Sequence, residues 1–472
     1  MNTLSVITQP LILAIGAILV ILVDAMATDS ARKTFVLSIL TILAAIVAAV
    51  SLWGQQGIAF NRMIVHDNFS LICGLLFCIA ALLTVLLAQN TPLGTSQFHA
   101  LLLLTLIGMM LLVSGTSLLI LFIGLEILSL SVYVLACFYK QDPLSTESGM
   151  KYFLLGSFAS AFFLYGLAFI YGSTGTLQIQ QIASAAAEPH FANRTILLLG
   201  LVFLIVGYAF KISIVPFHMW TPDVYEGAPT TVTGFMAATV KAAALASLIR
   251  VLLIAFPSVS NFWIPVIWVL SVLTMFVGNL AALRQDNLKR MLAYSSIAHA
   301  GYMLTGLLAS PDQAEQAVLY YFATYIFMNM GAFTIVAYLD QTSDILTVSQ
   351  YSGLAYARPL LATCMLIFLV SLGGLPPTAG FFGKFYLFRA VLEQRHVWLI
   401  MIAVMNSAIS FYYYLRIVYA MFTPMKAETG ISPVQMSRPF VFVLCITIFG
   451  TISLGLFPNF FLQLARSISL IS

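Results

Sequence analysis

Apolar runs of 18 or more residues recur along almost the whole chain, and this pattern limits the possible folds more than any other feature. Each run is long enough to cross, as a helix, a hydrocarbon core about 30 Å thick. Hydrophobic residues make up 61% of the 472 residues, and the mean hydropathy is +1.02, both far from the values of soluble proteins. The sequence therefore predicts an all-α polytopic membrane protein.

Fourteen candidate transmembrane helices can be placed in the chain. They cover residues 4–23, 34–53, 69–88, 98–113, 116–138, 150–172, 195–216, 230–256, 261–283, 290–309, 314–338, 360–390 (interrupted), 396–422 and 438–462. The longest loops between them, near 173–194 and 339–359, are too short to fold alone. We therefore expect a single helical bundle.

The loop lysines and arginines indicate an orientation for this bundle. With the N-terminus outside, ten of them lie on the cytoplasmic face, Lys289 and Arg290 included, and six lie on or near the opposite face. Cytoplasmic loops usually carry the excess of positive charge. With fourteen spans, both termini are expected on the periplasmic side.

Three lysines lie inside otherwise apolar runs: Lys211 in LVFLIVGYAFKISIVPF, Lys241 in TGFMAATVKAAALASLI and Lys384 in PPTAGFFGKFYLF. An ammonium group at this depth costs several kcal/mol, so it persists only with a partner, water or a function. The whole chain has only 20 basic and 16 acidic residues. Lysines in such places indicate ion or proton handling within the membrane.

Two of the candidate helices contain breaks. Lys211 is followed by PFHMWTPDVYEGAPT, and Lys384 is preceded by GGLPPTAGFFG. Proline removes a backbone donor and clashes with the preceding turn, so both helices are expected to unwind. Unwound backbone is tolerated in a bilayer only inside protein or beside a wet cavity. Two broken helices beside ionisable groups favour an inverted repeat.

The spacing of the ionisable residues agrees with such a repeat. Glu126 precedes Lys211 by 85 residues (211 − 126), and His299 precedes Lys384 by 85 residues (384 − 299). Similar helix lengths could produce the same spacing by coincidence. The repeat predicts an N-terminal three-helix segment at 1–97, two five-helix units at 98–256 and 257–422, and a C-terminal helix at 423–472.

Glu126 is the only acid in the middle of a predicted span, and we expect it to pair with Lys211. A paired carboxylate keeps the lysine protonated, and when the pair opens, burial favours the neutral amine. A thousandfold change in proton affinity is worth about 4 kcal/mol, comparable to moving one charge through about 170 mV. The alternative is a glutamate that only joins two helices by a hydrogen bond.

The other candidates have competing interpretations. His299, near Ser295 and Ser296, is a proton relay or a satisfied core histidine. Lys151, at the edge of its span, is a relay residue or a lysine that extends to the interface. His218 lies beside the first break and Asp223 and Glu226 follow in the loop; the three could form an entry funnel or fix the loop. Tyr133, Tyr208 and residues 412–414 are interpreted as core or interface aromatics.

No nucleotide or metal site is expected from the sequence. GxGxxG and GxxxxGK[ST] are absent in a usable context, and no His/Cys cluster has ligand spacing. The five cysteines all lie in apolar spans and are interpreted as core residues. The net charge of +4 gives no indication of nucleic-acid binding. If redox chemistry or ATP drives this protein, another chain supplies it.

Several blocks resemble a known family. KISIVPFHMWTPDVYEGAPT, QDNLKRMLAYSSIAHAGY, SLGGLPPTAGFFGKF and KYFLLGSFASAFFLYGLAFIYGSTGT are similar to blocks of the antiporter-like membrane subunits of bacterial respiratory complex I. The resemblance extends over nearly the whole chain. It implies fourteen helices, two inverted five-helix units, and breaks in the seventh and twelfth helices.

The resemblance also implies roles for individual residues. Glu126 and Lys211 match the switching pair of the family, Lys241 matches a relay lysine and Lys384 the terminal site, while Lys151 and His299 match positions of less certain role. Family members without a glutamate at the last position and without a long lateral C-terminal helix fit best, because Lys384 is a lysine and the chain stops at Ser472.

The function that this resemblance implies is proton translocation by a subunit of NADH:quinone oxidoreductase in a bacterial inner membrane. NADH, FMN, iron–sulfur clusters and quinone would then belong to partner subunits, with no cofactor or metal in this chain. The expected partners are other membrane subunits of complex I and the lipid bilayer, with no nucleic acid. The alternatives are a subunit of a multi-chain Na⁺/H⁺ antiporter and a structural spacer.

Overall fold

A computed structural model describes residues 3–27, 30–188, 191–343, 346–424 and 436–466. The first half contains α1 (Thr3–Val6), α2 (Thr8–Met26), α3 (Ser30–Ser51), α4 (Asn68–Ala88), α5 (Ser96–Ser114), α6 (Leu118–Ala136), α7 (Pro143–Thr174), α8 (Ile179–Ala186), α9 (Arg194–Ile212), α10 (Trp220–Gly227) and α11 (Thr230–Ala255). The second half contains α12 (Ser260–Ala282), α13 (Leu288–Thr305), α14 (Pro311–Ser343), α15 (Leu354–Ala357), α16 (Pro359–Gly373), α17 (Ala379–Glu393), α18 (Val397–Phe422), α19 (Arg438–Leu456) and α20 (Pro458–Arg466). One small antiparallel hairpin pairs β1 (Gly57–Ala59) with β2 (Ile64–His66).

The all-α class predicted from the sequence is confirmed, and every candidate span contains a helix. Among the described residues, twelve helices are long and apolar enough to cross a membrane. The tenth candidate, α13, and the interrupted twelfth, α16 with α17, are not among those twelve. The count of fourteen crossings and the four-part division of the chain stay predictions.

Some boundaries differ from the prediction for local reasons. α7 begins at Pro143 rather than at 150, because the Asp142 side chain accepts a hydrogen bond from the Leu144 amide at 3.0 Å and proline suits a first helical turn. The predicted loop at 173–194 contains the short helix α8. Ile179 and Ile182 are buried on its inner face, because residues three apart share one face of a helix.

Both predicted breaks are present. α9 ends at Ile212, and Ser213 takes a left-handed conformation with a φ of 67°; α10 follows after a short turn. α16 ends at Gly373, and Gly374 is left-handed with a φ of 89° before α17 begins. The Val215–Pro216 and Pro376–Pro377 peptide bonds are cis.

Two long helices form the centre of the bundle. In α11 and α14, 89% and 94% of the most apolar stretch is buried, compared with 33% in α7, α12 and α18. α11 is not a regular α-helix, since residues Met236–Val240 and Val251–Ala255 are π-helical. Lys241 directly follows the first π-helical segment, a kind of irregularity that is frequent at functional sites. The bundle therefore places an ionisable residue on one of its two central helices.

Candidate functional site

Lys211 lies in the last turn of α9, where its side chain is 1% exposed. Its ammonium donates hydrogen bonds to the Ser129 hydroxyl at 2.9 Å and to the Tyr152 hydroxyl at 3.3 Å. The nitrogen also lies 5.2 Å from the ring centre of Tyr133 and 5.0 Å from that of Tyr152. Hydroxyl groups and aromatic faces therefore surround this charge.

Glu126 lies one helical turn before Ser129 on α6, so both side chains share one face. Its carboxylate accepts a hydrogen bond from the Ser160 hydroxyl of α7. Glu126 and Lys211 do not form an ion pair in this structure; the Ser129 hydroxyl binds the ammonium instead. The expected pair is therefore open in this structure, with each of the two groups bound to a different serine hydroxyl.

Lys241 is 1% exposed at mid-length of α11. Its ammonium donates to the Ser296 hydroxyl of α13 at 2.6 Å and lies 5.3 Å from the ring centre of Tyr225. Ser296 in turn donates to the Ala293 carbonyl at 2.7 Å. This lysine does not extend to an interface; its charge is enclosed by the bundle.

His299 lies one turn after Ser296 on the same face of α13. Its Nδ1 is 2.7 Å from the Tyr321 hydroxyl and its Nε2 is 3.3 Å from the Tyr414 hydroxyl. Tyr414 also shares a hydrogen bond with Ser295. The imidazole is thus a bridge between two phenols, and Tyr414, interpreted from the sequence as a core or interface aromatic, is one of its partners.

Lys384 is 5% exposed on α17, close to the second break. Its ammonium donates to the carbonyl oxygens of Gly373 at 2.8 Å and Leu372 at 3.3 Å, and to the Ser407 hydroxyl at 2.8 Å. The nitrogen lies 4.9 Å from the ring centre of Tyr302. An apolar cavity of about 510 Å³, lined in part by Lys384 and Ser407, opens beside it.

Lys151 is outside this buried series, because its side chain is 40% exposed. It forms ion pairs with Glu147 and Asp223, both at 2.7 Å. Arg290 completes this cluster through ion pairs with Asp223 at 2.8 Å and Glu226 at 2.6 Å. The five side chains line a polar cavity of about 140 Å³.

Asp223 and Glu226 were interpreted from the sequence either as an entry funnel or as residues that fix the loop. The cluster has features of both. Ion pairs fix α10 to its neighbours, and a polar cavity also lies between them. Asp223 lies outside the long membrane-spanning helices. Partial burial acts to raise the pKa of its carboxyl group, but hydrogen bonds from Lys151 and Arg290, with their charges, outweigh burial and lower that pKa.

The same short helix contacts two of the buried lysine sites. On α10, Trp220 stacks on Tyr152 with ring centres 4.2 Å apart, and Tyr152 binds Lys211. Tyr225, also on α10, faces Lys241. α10 therefore separates the polar cluster from the first two lysines.

One buried ion pair was missed by reasoning from the sequence. Arg250, interpreted as a structural residue near a helix end, is fully buried and binds Asp67 at 2.7 Å. Asp67 also caps α4 by accepting a hydrogen bond from the Ser70 amide at 2.8 Å. The pair joins the N-terminal helices to α11, away from the lysine series. No local sequence signal could indicate it, because 183 residues separate the partners.

Among the described residues, no group of three or more His, Cys, Asp or Glu side chains is placed to hold a metal ion. The hydroxyl partners Ser129, Tyr152, Ser296 and Ser407 had no distinguishing sequence signal either. They are common residues in apolar helices, and only the packing of the helices brings them to the lysines.

Comparison with known proteins agrees with these features. Residues 115–410 match the family of transmembrane NADH:quinone oxidoreductase/Mrp antiporter proteins. The NADH-quinone oxidoreductase subunit N of Trichlorobacter lovleyi is 43% identical over 470 residues, which cover 98% of this chain and 96% of the relative.

Solved structures have the same architecture. A chain of respiratory complex I from Thermus thermophilus matches with a TM-score of 0.84 and 34% identity, covering 98% of this chain and 100% of that one. A chain of the Mrp complex from Dietzia sp. matches with a TM-score of 0.87 at 20% identity, over 99% of this chain and 97% of that one, which shows the fold alone.

Proposed function

This chain belongs to the NADH:quinone oxidoreductase/Mrp antiporter transmembrane family, and from that membership we propose that it is a proton-translocating membrane subunit of a bacterial NADH:quinone oxidoreductase, corresponding to subunit N. Two relatives that are 43% and 41% identical to this chain, over 98% and 96% of its length, bear that name. The proposed location is the bacterial inner membrane, with both termini on the periplasmic side.

The observation that carries the proposal is a series of three enclosed lysines. Lys211, Lys241 and Lys384 are each at most 5% exposed, and none of them forms an ion pair with a described carboxylate. Their hydrogen bonds go to hydroxyl and carbonyl oxygens. A buried ammonium without a paired anion loses its proton easily, so small changes in its surroundings change its protonation.

The first step uses Glu126 and Lys211. When Glu126 approaches Lys211, its charge favours the ammonium form, and when it withdraws to Ser160, burial favours proton release. Moving one charge through 100 mV costs about 2.3 kcal/mol. Each tenfold change in the proton affinity of Lys211 is worth about 1.4 kcal/mol. Opening and closing the ion pair therefore provides enough energy if it changes that affinity by about two powers of ten.

From Lys211 the proton passes to the centre and then to the second half. Lys241 receives it beside Ser296, and His299 lies one turn further along α13. The imidazole can accept a proton at one nitrogen while it donates from the other, so it transfers a proton between Tyr321 and Tyr414; a ring flip then restores the original tautomer for the next transfer. Lys384 is the last buried carrier of the series.

The energy for these steps comes from quinone reduction in other subunits. We propose that NADH, FMN, iron–sulfur clusters and quinone are bound there, and that this chain contributes the proton route alone. Lys151, with Asp223 and Arg290, would then lie at the entrance of the route on the cytoplasmic side.

Replacing each buried lysine by methionine in the assembled complex tests this function. Methionine keeps the apolar volume and removes the exchangeable proton, so we expect Lys211→Met, Lys241→Met and Lys384→Met to reduce NADH-driven proton pumping by about 10²-fold or more, the effect of losing a positioned acid–base group. The exposed Lys140→Met is the matched control. Pumping is measured by acidification of vesicles that contain the purified complex.

The result also separates the alternatives. Normal pumping in Lys241→Met, with normal NADH oxidation, would identify this chain as a structural spacer. Release of sodium from vesicles that contain the complex but no electron donor would identify an antiporter instead.

A further inference from the structure

A fourth enclosed lysine, Lys289, lies where α13 begins. We propose that Lys289 is a proton-loading residue, which takes protons from the polar cluster at the end of the bundle and passes them towards Lys241. This inference rests on the proposed function and adds to it an entry residue for the route. Sequence reasoning assigned Lys289 to a loop, as one of the charges that set orientation.

Burial first separates Lys289 from an ordinary loop lysine. Its side chain is 4% exposed, although the neighbouring Arg290 is 28% exposed and forms ion pairs with Asp223 and Glu226. Within the part of the chain that the structure describes, the Lys289 ammonium has one hydrogen bond, to the Ala228 carbonyl at 2.9 Å, and no ion pair. Two adjacent cations therefore face different surroundings: one faces the polar cavity and the other the interior.

The contacts of Lys289 place it at the start of the central helix. Ala228 precedes α11 by two residues, and Thr230, the first residue of α11, donates a hydrogen bond to the Asp340 carboxylate. Lys289 and Asp340 thus hold the same short stretch from two sides. The carboxylates whose charges act on Lys289 are those of Asp340, Glu226 and Asp142, contributed by α14, α10 and the turn before α7. These charges favour protonation, and burial opposes it.

The geometry of α13 connects Lys289 with Lys241. Lys289 and Ser296, the partner of Lys241, are seven residues apart, which is two turns on the same face and roughly 10 Å along the axis. Ala293 lies between them on that face. Because the alanine side chain is only a methyl group, it leaves space for water on this face between Lys289 and Ser296. The same face continues to His299, so α13 carries the entry lysine, the Ser296 hydroxyl that binds Lys241 on α11, and the relay histidine.

The proposed step conserves protons and involves no redox change. A hydronium ion at the polar cluster gives a proton to the neutral Lys289 amine, forming a fourth bond on Nζ and leaving a water behind. The ammonium then gives a proton to a water on the α13 face, and the resulting hydronium passes it to the Lys241 amine and becomes water again. Lys289 returns to its neutral state and can be loaded again.

The variant Lys289→Arg distinguishes a proton-relay role of Lys289 from a purely structural role. Lys289→Arg keeps the positive charge and the donors that bind the Ala228 carbonyl, but a guanidinium does not lose its proton in proteins. We expect Lys289→Arg to assemble normally and to lower NADH-driven proton pumping by about tenfold or more. Lys289→Met should lower pumping equally, and Lys140→Met serves as the control for loss of a lysine on the same side.

Full pumping in Lys289→Arg would overturn the proposal, because a hydrogen bond to Ala228 would then be the whole role of Lys289. Lys289→Arg is decisive even if Lys289→Met fails to assemble, since it retains the structural contact. If Lys289→Arg pumps normally while Lys211→Met does not, the proposed function stands and only this inference fails. If neither variant affects pumping, the proposed function itself fails.

Discussion

The two lysines beside the breaks, Lys211 and Lys384, are held in different ways. Lys211 binds two hydroxyl groups, those of Ser129 and Tyr152. Lys384 binds two backbone carbonyls at the end of α16 and one hydroxyl, that of Ser407. Hydroxyl groups can reorient and can donate as well as accept, whereas carbonyl oxygens only accept. The first lysine therefore has two exchangeable partners, whereas the second has two fixed partners and one exchangeable one.

The positions of the breaks explain this difference. The first break follows Lys211, and the carbonyl of Phe210 at the end of α9 is bound by the Trp220 indole at 2.9 Å. The second break precedes Lys384, so the carbonyls of Leu372 and Gly373 remain for its ammonium. The C-terminal end of a helix attracts cations. The end of α9 is thus bound by an aromatic donor, and the end of α16 by the Lys384 ammonium.

The spacing between the halves extends to their contact residues. Lys211 and Lys384 are 173 positions apart (384 − 211), and the same offset relates Ser129 to Tyr302 and Lys241 to Tyr414. Tyr302 faces Lys384 as Ser129 faces Lys211. Tyr414 binds His299, so a neutral phenol stands where the first half has a lysine. The equal offsets agree with the proposed repeat, and the two halves differ in the residue at this position.

The largest difference between the halves is expected at Glu126 and His299, which occupy corresponding positions in the proposed repeat. Glu126→Gln keeps the hydrogen bond from Ser160 but removes the charge that acts on Lys211, so pumping should fall by about tenfold, the effect of about 1.4 kcal/mol. His299→Gln removes the imidazole relay, but water between the Tyr321 and Tyr414 hydroxyls can carry the proton in its place, so pumping should fall by only about threefold, the effect of roughly 0.6 kcal/mol.

The measurement is NADH-driven pumping in vesicles, with the exposed Glu188→Gln as the control. An equal or larger loss in His299→Gln would contradict the comparison, since it would place the more sensitive switch in the second half.

A smaller difference is expected from the hydroxyl groups that hold the two lysines. Ser129→Ala leaves Lys211 with only the longer bond to Tyr152, so pumping should fall by about fivefold, the effect of about 1 kcal/mol. Ser407→Ala leaves the two carbonyls on Lys384, and a loss of about twofold or less is expected. The control is Ser131→Ala, because that hydroxyl binds only the Ile127 carbonyl of its own helix. Equal losses in both variants would show that the carbonyls do not hold Lys384.

Sequence reasoning succeeded where the physical cause is local. Apolar runs, prolines and glycines determine where helices lie and where they break, because the backbone near them has few alternatives. Burial of Lys211, Lys241 and Lys384 was also predicted, since each lies deep in an apolar run. The α8 helix was missed because its inner face carries only Ile179 and Ile182, too few residues to establish a period.

Contacts across the bundle could not be predicted in the same way. The separation of Glu126 from Lys211 depends on how α6, α7 and α9 pack, and Ser129 resembles any other serine of an apolar helix. Nothing in the sequence indicated the burial of Lys289 either, because adjacent lysine and arginine residues next to a predicted span usually lie in an exposed loop. Tyr414 became a partner of His299 only through the packing of α18 on α13.

The smallest effects on pumping are expected at the residues that end the two half-helices, Gly374 and Ser213, both in the left-handed conformation. An L side chain in this conformation costs about 1–2 kcal/mol, and a Cβ on Gly374 would also lie 3.1 Å from the Cδ of Lys384. Gly374→Ala should therefore destabilise the second break by about that amount. Ser213→Gly removes such strain but also removes the hydroxyl that accepts from Thr221 at 2.7 Å, so its net effect should be within about 0.5 kcal/mol of zero.

Thermal inactivation of the assembled complex measures both variants, and pumping at low temperature shows whether the lysines still work. Gly374→Ala should inactivate at a lower temperature than the wild type, and Ser213→Gly at the same temperature. Gly374→Ala should also reduce pumping slightly before inactivation, because the added methyl displaces the Lys384 side chain from the carbonyls that hold it. A variant that is less stable but pumps normally would show that Lys384 tolerates displacement, and the distinction between exchangeable and fixed partners would then no longer explain how the two halves differ.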